Sequence, residues 1–272
     1  MKKNELQENF GIHGILSADK DPEWIKPHLS GLHEDGCFAL WQVRDAMAQI
    51  EGMDLKDFKP EVAQKKRDAK AIEAKKMVLS FLKKHIEKAQ ENKNAMYNKI
   101  LRVTEPSVPS DPVKAMLHEM RNAEIRANLK SIEPKHRPAA IAGSLERIQA
   151  VLGNPDPGDN LITPESLVEI RREFAFQKEP KLVLEEKEAA AIYKAVRARA
   201  GEINGTATKM LIGKKMNVDL DPRQHFEVFP PIGEYEGALA ERMVQNFDRE
   251  QEKQTRKEKM STFGFEAAGN DK

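Results

Sequence analysis

A seven-residue apolar repeat between Ile72 and Val103 constrains this chain more than any other feature. Ile72, Leu79, Ile86 and Ile100 hold one position of the repeat, and Leu82, Ala89, Met96 and Val103 hold the other. An apolar residue every 3.5 positions on average stays on one side of an α-helix, and that side has to be covered by another helix. Asp57 and Pro60 set up the start of the helix, and Glu105, Pro106 and Pro109 end it, because proline lacks the N–H and restricts the residue before it. Unbroken to Val103, it is on the order of 65 Å long at 1.5 Å per residue. Lys75 and Lys93 interrupt the repeat.

The flanking positions bear on what covers that face. They carry Lys76, Lys83, Gln90 and Tyr97 on one side and Val78, His85, Asn92 and Lys99 on the other. A parallel pair of identical helices is favoured by acids opposite lysines at these positions, and none is present. The pattern therefore predicts a heterologous or intramolecular partner. Its interaction seam is Ile72, Leu79, Leu82, Ile86, Met96 and Ile100.

Composition favours helices throughout. Aromatic residues make up only 6% of the 272 residues, so the β-branched and aromatic alternation of strands is scarce. The expected fold is mainly α: an elongated helical bundle with one long heptad-bearing helix and a Gly/Pro-rich extended arm. Charge is balanced overall, with 45 basic and 44 acidic residues, which gives the molecule no net field toward nucleic acid or membrane. Locally it is not balanced. Residues 1–60 hold seven basic and eleven acidic groups, whereas 61–102 hold twelve and five. A basic helix beside an acidic segment can neutralise itself.

Five segments follow from the punctuation. Residues 1–59 read as an irregular N-terminal cap, helical only from Phe38 to Ile50 through Leu40, Val43, Met47 and Ile50. Residues 60–104 are the long basic helix. Residues 105–204 are a helical bundle. Asp111 and Pro112 start one helix with Val113, Met116, Leu117 and Met120 as its inward face. A second spans Pro138 to Leu152, with Ile141, Leu145, Ile148 and Leu152 inward and Gly153 at its end. Thr163-Pro164-Glu165 caps the next, and Pro180 opens another to about Ile203. Residues 205–237, broken by Gly205, Gly213, Pro222, Pro230, Pro231 and Gly233, read as an extended arm or β-hairpin. Met210, Leu211, Ile212, Phe226 and Phe229 are its partner-contact residues. Residues 238–272 form a C-terminal helix that buries Leu239, Met243 and Phe247, then a charged tail.

Candidate chemistry is sparse. His28, His33, Glu34, Asp35 and Cys37 are metal-ligand types within ten residues, but no CxxC or HExxH spacing joins them, and His118-Glu119 lacks a second histidine. Cys37, the single cysteine, excludes an internal disulfide and reads as a small buried apolar residue. Gly205 to Lys214 fails as a phosphate loop, because its glycines are too far apart and Lys215 stands where Ser or Thr should bind magnesium. Asp156, Asp159 and Asn160 do not follow the ligand order of a calcium loop. Neither metal nor cofactor is expected, and a metal- or thiol-dependent enzyme at the N-terminal cap is the most distant reading. Lys65, Lys66, Lys83, Lys84 and Lys88 are the alternative phosphate contacts of a nucleic-acid-binding accessory protein, but they are scattered around the helix without a stacking platform. Met1-Lys2-Lys3 is followed by polar residues, and no stretch approaches the roughly 20 apolar residues of a membrane span. These features lead to an expectation of cytosolic synthesis without a membrane.

Arg137-Pro138-Ala139-Ala140-Ile141, then Ile148, Ala150-Val151-Leu152-Gly153-Asn154-Pro155, Leu161, Thr163-Pro164-Glu165 and Arg171-Arg172 form one further pattern. This stretch resembles a helix, loop, helix pattern in helical proteins encoded among bacteriophage structural genes. The resemblance departs at Asp156-Pro157-Gly158-Asp159, where the pattern has a more apolar loop. It implies a virion component. Together with the repeat, it leads to the expectation of a non-enzymatic assembly protein that contacts protein partners or copies of itself.

Overall fold

In a computed structural model, residues 22–142, 144–154 and 161–267 are described, the side chains of 233–235 and 256–267 excepted. Nine α-helices and no strand occur among them: α1 (Lys26–Glu51), α2 (Pro60–Val103), α3 (Pro112–Lys130), α4 (Arg137–Ala142), α5 (Leu145–Leu152), α6 (Pro164–Lys178), α7 (Pro180–Ile212), α8 (Pro222–Val228) and α9 (Gly233–Ala267). The mainly α bundle expected from composition is what forms. No described helix is long and apolar enough to cross a membrane.

The chain divides into two compact units, one of residues up to Lys88 and from Lys194, the other of Ala89–Tyr193. In the first unit α2 buries Ala71, Ala74, Val78, Leu79, Leu82 and Ile86. Ala71, Ala74 and Val78 lie off the heptad, so the buried stripe is wider than a two-helix seam and suits a helix touched on two sides. One side is α1, where Phe38 meets the Phe81 ring edge-on at 5.5 Å and Asp35 reaches His85 at 2.8 Å. The expected seam is thus covered within the chain: Leu79, Leu82, Ile86 and, in the second unit, Ile100 are at most 4% exposed, while Ile72 and Met96 are half-buried.

Two boundaries differ from expectation. Within the described part of the N-terminal segment, Lys26–Glu51 is helical: α1 runs 26 residues and buries Leu29, Leu32, Gly36, Ala39, Leu40, Val43, Ala46 and Ile50, mostly at spacings of three and four. Gly31 and Gly36 obscure that period, yet Gly36 is where α1 meets α7. A Cβ added there would collide with Ile203 Cδ1 and lie 3.1 Å from its Cγ1. Likewise α7 does not stop near Ile203. It continues to Ile212 because Val196, Ala200, Ile203, Ala207 and Leu211 prolong its buried stripe past two glycines. Gly at a helix interior costs only about 1 kcal/mol, less than burying one such side chain returns. Gly213 then ends the helix, its N–H bonded to Lys209 O at 3.0 Å, and Lys215 takes a left-handed φ of 58°.

The arm expected over 205–237 is therefore mostly helical, and its irregular piece lies on the chain's own α2. Gln64 Nε2 donates to Lys215 O at 3.3 Å, Asn217 N to Asp68 Oδ1 at 2.8 Å, and Lys75 Nζ to Val218 O at 3.2 Å. Met216 and Val218, side chains of this strap, are buried. Among the described side chains of α9, Leu239 and Met243 are about half exposed, Phe247 is half-buried and Ala240 is buried, so the expected inward face is only partly turned in.

The second unit holds α3 to α6 with parts of α2 and α7. Leu129, Ile141, Ile148, Val151, Leu161, Ile170 and Phe174 form its main core. Ile100, Ala175, Leu182 and Val183 form a smaller one. The expected Pro138–Leu152 helix is two helices, because Ser144 caps α5 by accepting from Arg147 N at 3.5 Å. Leu145 consequently turns outward, with Ile141 and Ile148 remaining buried. Asp111 and Thr163 cap α3 and α6 as their sequences predict, accepting from Lys114 N at 2.9 Å and Ser166 N at 3.3 Å. Arg172 grips the buried Glu186 with two bonds of 3.0 and 2.7 Å.

The contact at Gly36 can be tested by mutation. Gly36→Val should lower stability by about 1–3 kcal/mol through overpacking. Ile203→Ala in the same chain should give less than the sum of the two single losses in denaturant unfolding, whereas strict additivity would mean that the residues do not touch.

Candidate interaction surface

Helix α3 is built inside out. The face it turns to the rest of its unit carries His118, Asn122, Ile125, Arg126 and Leu129, of which Asn122, Arg126 and Leu129 are buried. Arg126 can be buried because its charge and donors are met: one nitrogen donates to Ala150 O at 3.1 Å and another to the Glu119 carboxylate. Asn122 lies 3.2 Å from His118 Nδ1. Arg121 bridges to Glu146 on α5 at 2.8 Å. These polar contacts fix the rotation of the helix about its axis.

That rotation sends the apolar stripe outward. Val113 is 65% exposed, Met116 61%, Leu117 58% and Met120 61%, which reverses the inward face expected for them. Ala123 and Ala127 continue the stripe, also exposed. At 100° per residue the six fall within one side of the helix, interrupted only by Glu124. Leaving each large member in water forgoes roughly 1.5–3 kcal/mol. A patch of clustered, rather than scattered, apolar residues marks an interaction site, and methionine adapts readily to a partner's shape. Leu117 also borders a groove of about 350 Å³ walled by His118, Arg121, Asn122, Ile125, Glu146 and Gln149.

The residues singled out in the sequence fare differently. Leu211 is wholly buried and Phe229 7% exposed; Met210 and Phe226 are half-buried, and only Ile212 stands well out at 56%. Hence the proposed contact arm is largely core. Among the lysines, Lys65, Lys66 and Lys88 are exposed, Lys66 capping the Phe58 ring at 3.7 Å. Lys83 lies 3.8 Å from Glu87 and 4.0 Å from Glu227, and Lys84 is 2.5 Å from Asp35. The structure does not gather these lysines into one phosphate-binding face, and two of them are already engaged by carboxylates.

In the N-terminal histidine and cysteine cluster, burial alone would raise the Asp35 carboxyl, but hydrogen bonds and charge from Lys84 and His85 outweigh it and hold its pKa low. Burial pushes the Cys37 thiol up, away from the thiolate that a nucleophile needs. No group of three or more metal-ligating side chains occurs among the described residues. Asp156, Asp159 and Asn160 lie outside the described residues.

A half-buried basic cluster of Lys75, Arg197 and His225 was not legible in the sequence. His225 stacks on Phe229 with ring centroids 5.0 Å apart. Burial, then the charges of Lys75 and Arg197, hold its pKa below the ordinary 6.5. Lys75 is itself lowered by burial, against a pull upward from Asp219. Arg197 donates to Pro230 O and reaches Glu236 at 3.2 Å. Lys75, through Val218 O, and Arg197, through Pro230 O, hold the strap and the residues after α8 in place.

Comparison of the chain with protein-family models, with curated proteins and with solved structures finds no match.

The rotation of α3 predicts a contrast in stability. Arg126→Ala should cost about 2–4 kcal/mol, because Glu119 and Ala150 O lose their donor, whereas Met120→Ala should stay within about 0.5 kcal/mol in dilute solution. Equal losses in denaturant titrations would contradict the inverted helix. A pH effect follows from His225. Its neutral form is favoured in the fold, so its stabilising share is complete above the unfolded pKa of about 6.5 and is lost as pH falls toward the lower folded value. Unfolding free energy should fall between about pH 7 and pH 5, and His225→Gln should flatten that slope.

Proposed function

We propose that this chain is a non-enzymatic helical assembly protein whose working surface is the outward stripe of α3. The observation that carries the reading is the inversion itself: the helix spends its inward face on Arg126 and Asn122 and leaves Val113, Met116, Leu117 and Met120 in water. Such an arrangement lowers stability in the isolated chain and is recovered only when something covers the stripe. The resemblance of residues 137–172 to helical proteins encoded among bacteriophage structural genes supports a virion as the setting. Assembly through α2 is disfavoured, because its seam is already covered from within. Nucleic-acid binding through the same helix is disfavoured by the carboxylates on Lys83 and Lys84.

The test is chemical crosslinking of the full chain in extracts of the cells that produce it, followed by sizing. Wild-type chain should enter a species heavier than one copy, and Met116→Glu/Met120→Glu should remain alone while keeping its helical content. A wild-type chain that stays alone, or retention of nucleic acid that disappears with salt, would overturn the reading.

A further inference from the structure

We infer that the α3 stripe is covered by α3 of a second copy, laid antiparallel about a two-fold axis that crosses the helix between Arg121 and Asn122. This rests on the assembly reading and names its partner. The stripe is graded in size along its length: Val113, Met116, Leu117 and Met120 fill its N-terminal half, and Ala123 and Ala127 its C-terminal half. Parallel pairing would set bulk on bulk and alanine on alanine. Antiparallel pairing about this axis sets Met116 over Ala127 of the second copy and Met120 over Ala123, twice by symmetry. Alanines at the crossing let the helix axes approach to about 8 Å, the close end of helix packing.

Charge selects the same arrangement. Glu124 is exposed within the stripe beside Leu117, and neighbouring Arg121, though bridged to Glu146 at 2.8 Å, keeps a side chain 68% exposed with further N–H groups to give. Under the two-fold axis each Glu124 comes within one turn of the other copy's Arg121, giving two ion pairs, whereas a parallel pair would oppose Glu124 to Glu124. Antiparallel helices also place opposite dipole ends together. The stripe is only about 21 Å long at 1.5 Å per residue, so it covers less than the roughly 800 Å² per partner of a standard interface. The dimer is therefore weak and concentration-dependent.

The experiment uses the full chain carrying Cys37→Ser, a half-buried position, with light scattering across the micromolar range and single cysteines for oxidation. Mass should rise toward two copies with concentration, and Met120→Glu should hold it at one. Glu124→Arg should weaken dimerisation roughly tenfold, and Arg121→Glu/Glu124→Arg/Glu146→Gln, the last change removing the carboxylate that faces position 121, should restore it, since both copies then carry the exchanged pair. Ala123→Cys should form an intermolecular disulfide, because its two Cα atoms fall within the usual 4.4–6.8 Å range. Val113→Cys should not, its copies lying about 25 Å apart along the axis. Equal oxidation at both positions would overturn the antiparallel pairing. A native complex that loses its partner on Met120→Glu but contains one copy of this chain would overturn the second-copy inference and leave the assembly reading intact. A chain that is alone both in extract and at high concentration would end both.

Discussion

A 44-residue helix cannot shelter its own apolar side, and most of the structure answers that demand. Along its first half α2 presents a stripe from Ala71 to Ile86 too broad for one neighbour, so α1 covers one flank and the strap at 213–221 is tied to the helix by Gln64, Asp68 and Lys75. Along its second half the stripe narrows to Ile100 with Val103, and α6 and α7 supply Ala175, Leu182 and Val183 against it. Lys93, a break in the heptad, sits 4.6 Å from the Tyr193 ring, so even the interruption is occupied from within.

Those elements whose limits are set by local chemistry were legible in the sequence. Prolines bound α2, Asp111 and Thr163 accept the first free N–H groups of α3 and α6, and Leu79, Leu82, Ile86 and Ile100 of the repeat lie within the wider face of α2 that is buried. What could not be read depends on tertiary neighbours. Gly36 looks like a helix breaker until Ile203 is seen to need the space of its missing side chain. Gly201 and Gly205 suggest the end of α7, yet Ala207 and Leu211 are buried strongly enough to carry the helix past them. Ser144 splits a periodic segment because it can cap as readily as it can continue.

The candidate site was misread for a related reason. Periodicity identifies the apolar side of α3 correctly but says nothing of which side faces the core. That choice is made by Arg126, whose charge is matched by Glu119 and a buried carbonyl at Ala150, and by Asn122 beside His118. A polar face whose buried arginine is charge-matched and hydrogen-bonded competes with an apolar one, since an arginine stripped of these partners would cost several kcal/mol to bury. The residues that signal the surface were therefore visible as a group, and their direction was set by residues of a different kind on the opposite side.

The strap has a consequence for the order in which the molecule can be made. Its anchors join Gln64 to Lys215 and Asp68 to Asn217 across 151 and 149 positions of sequence, whereas the unit of residues 89–193 is continuous in the chain. At about 5–20 residues per second, a ribosome that has finished α2 at Val103 needs roughly 6–24 s more to deliver the strap. The continuous unit is complete once Tyr193 has been made, before the strap exists, and until then α1 and α2 have each other but neither α7 nor the strap. The discontinuous unit is thus the last to close, and the anchors at Lys215 and Asn217 close it.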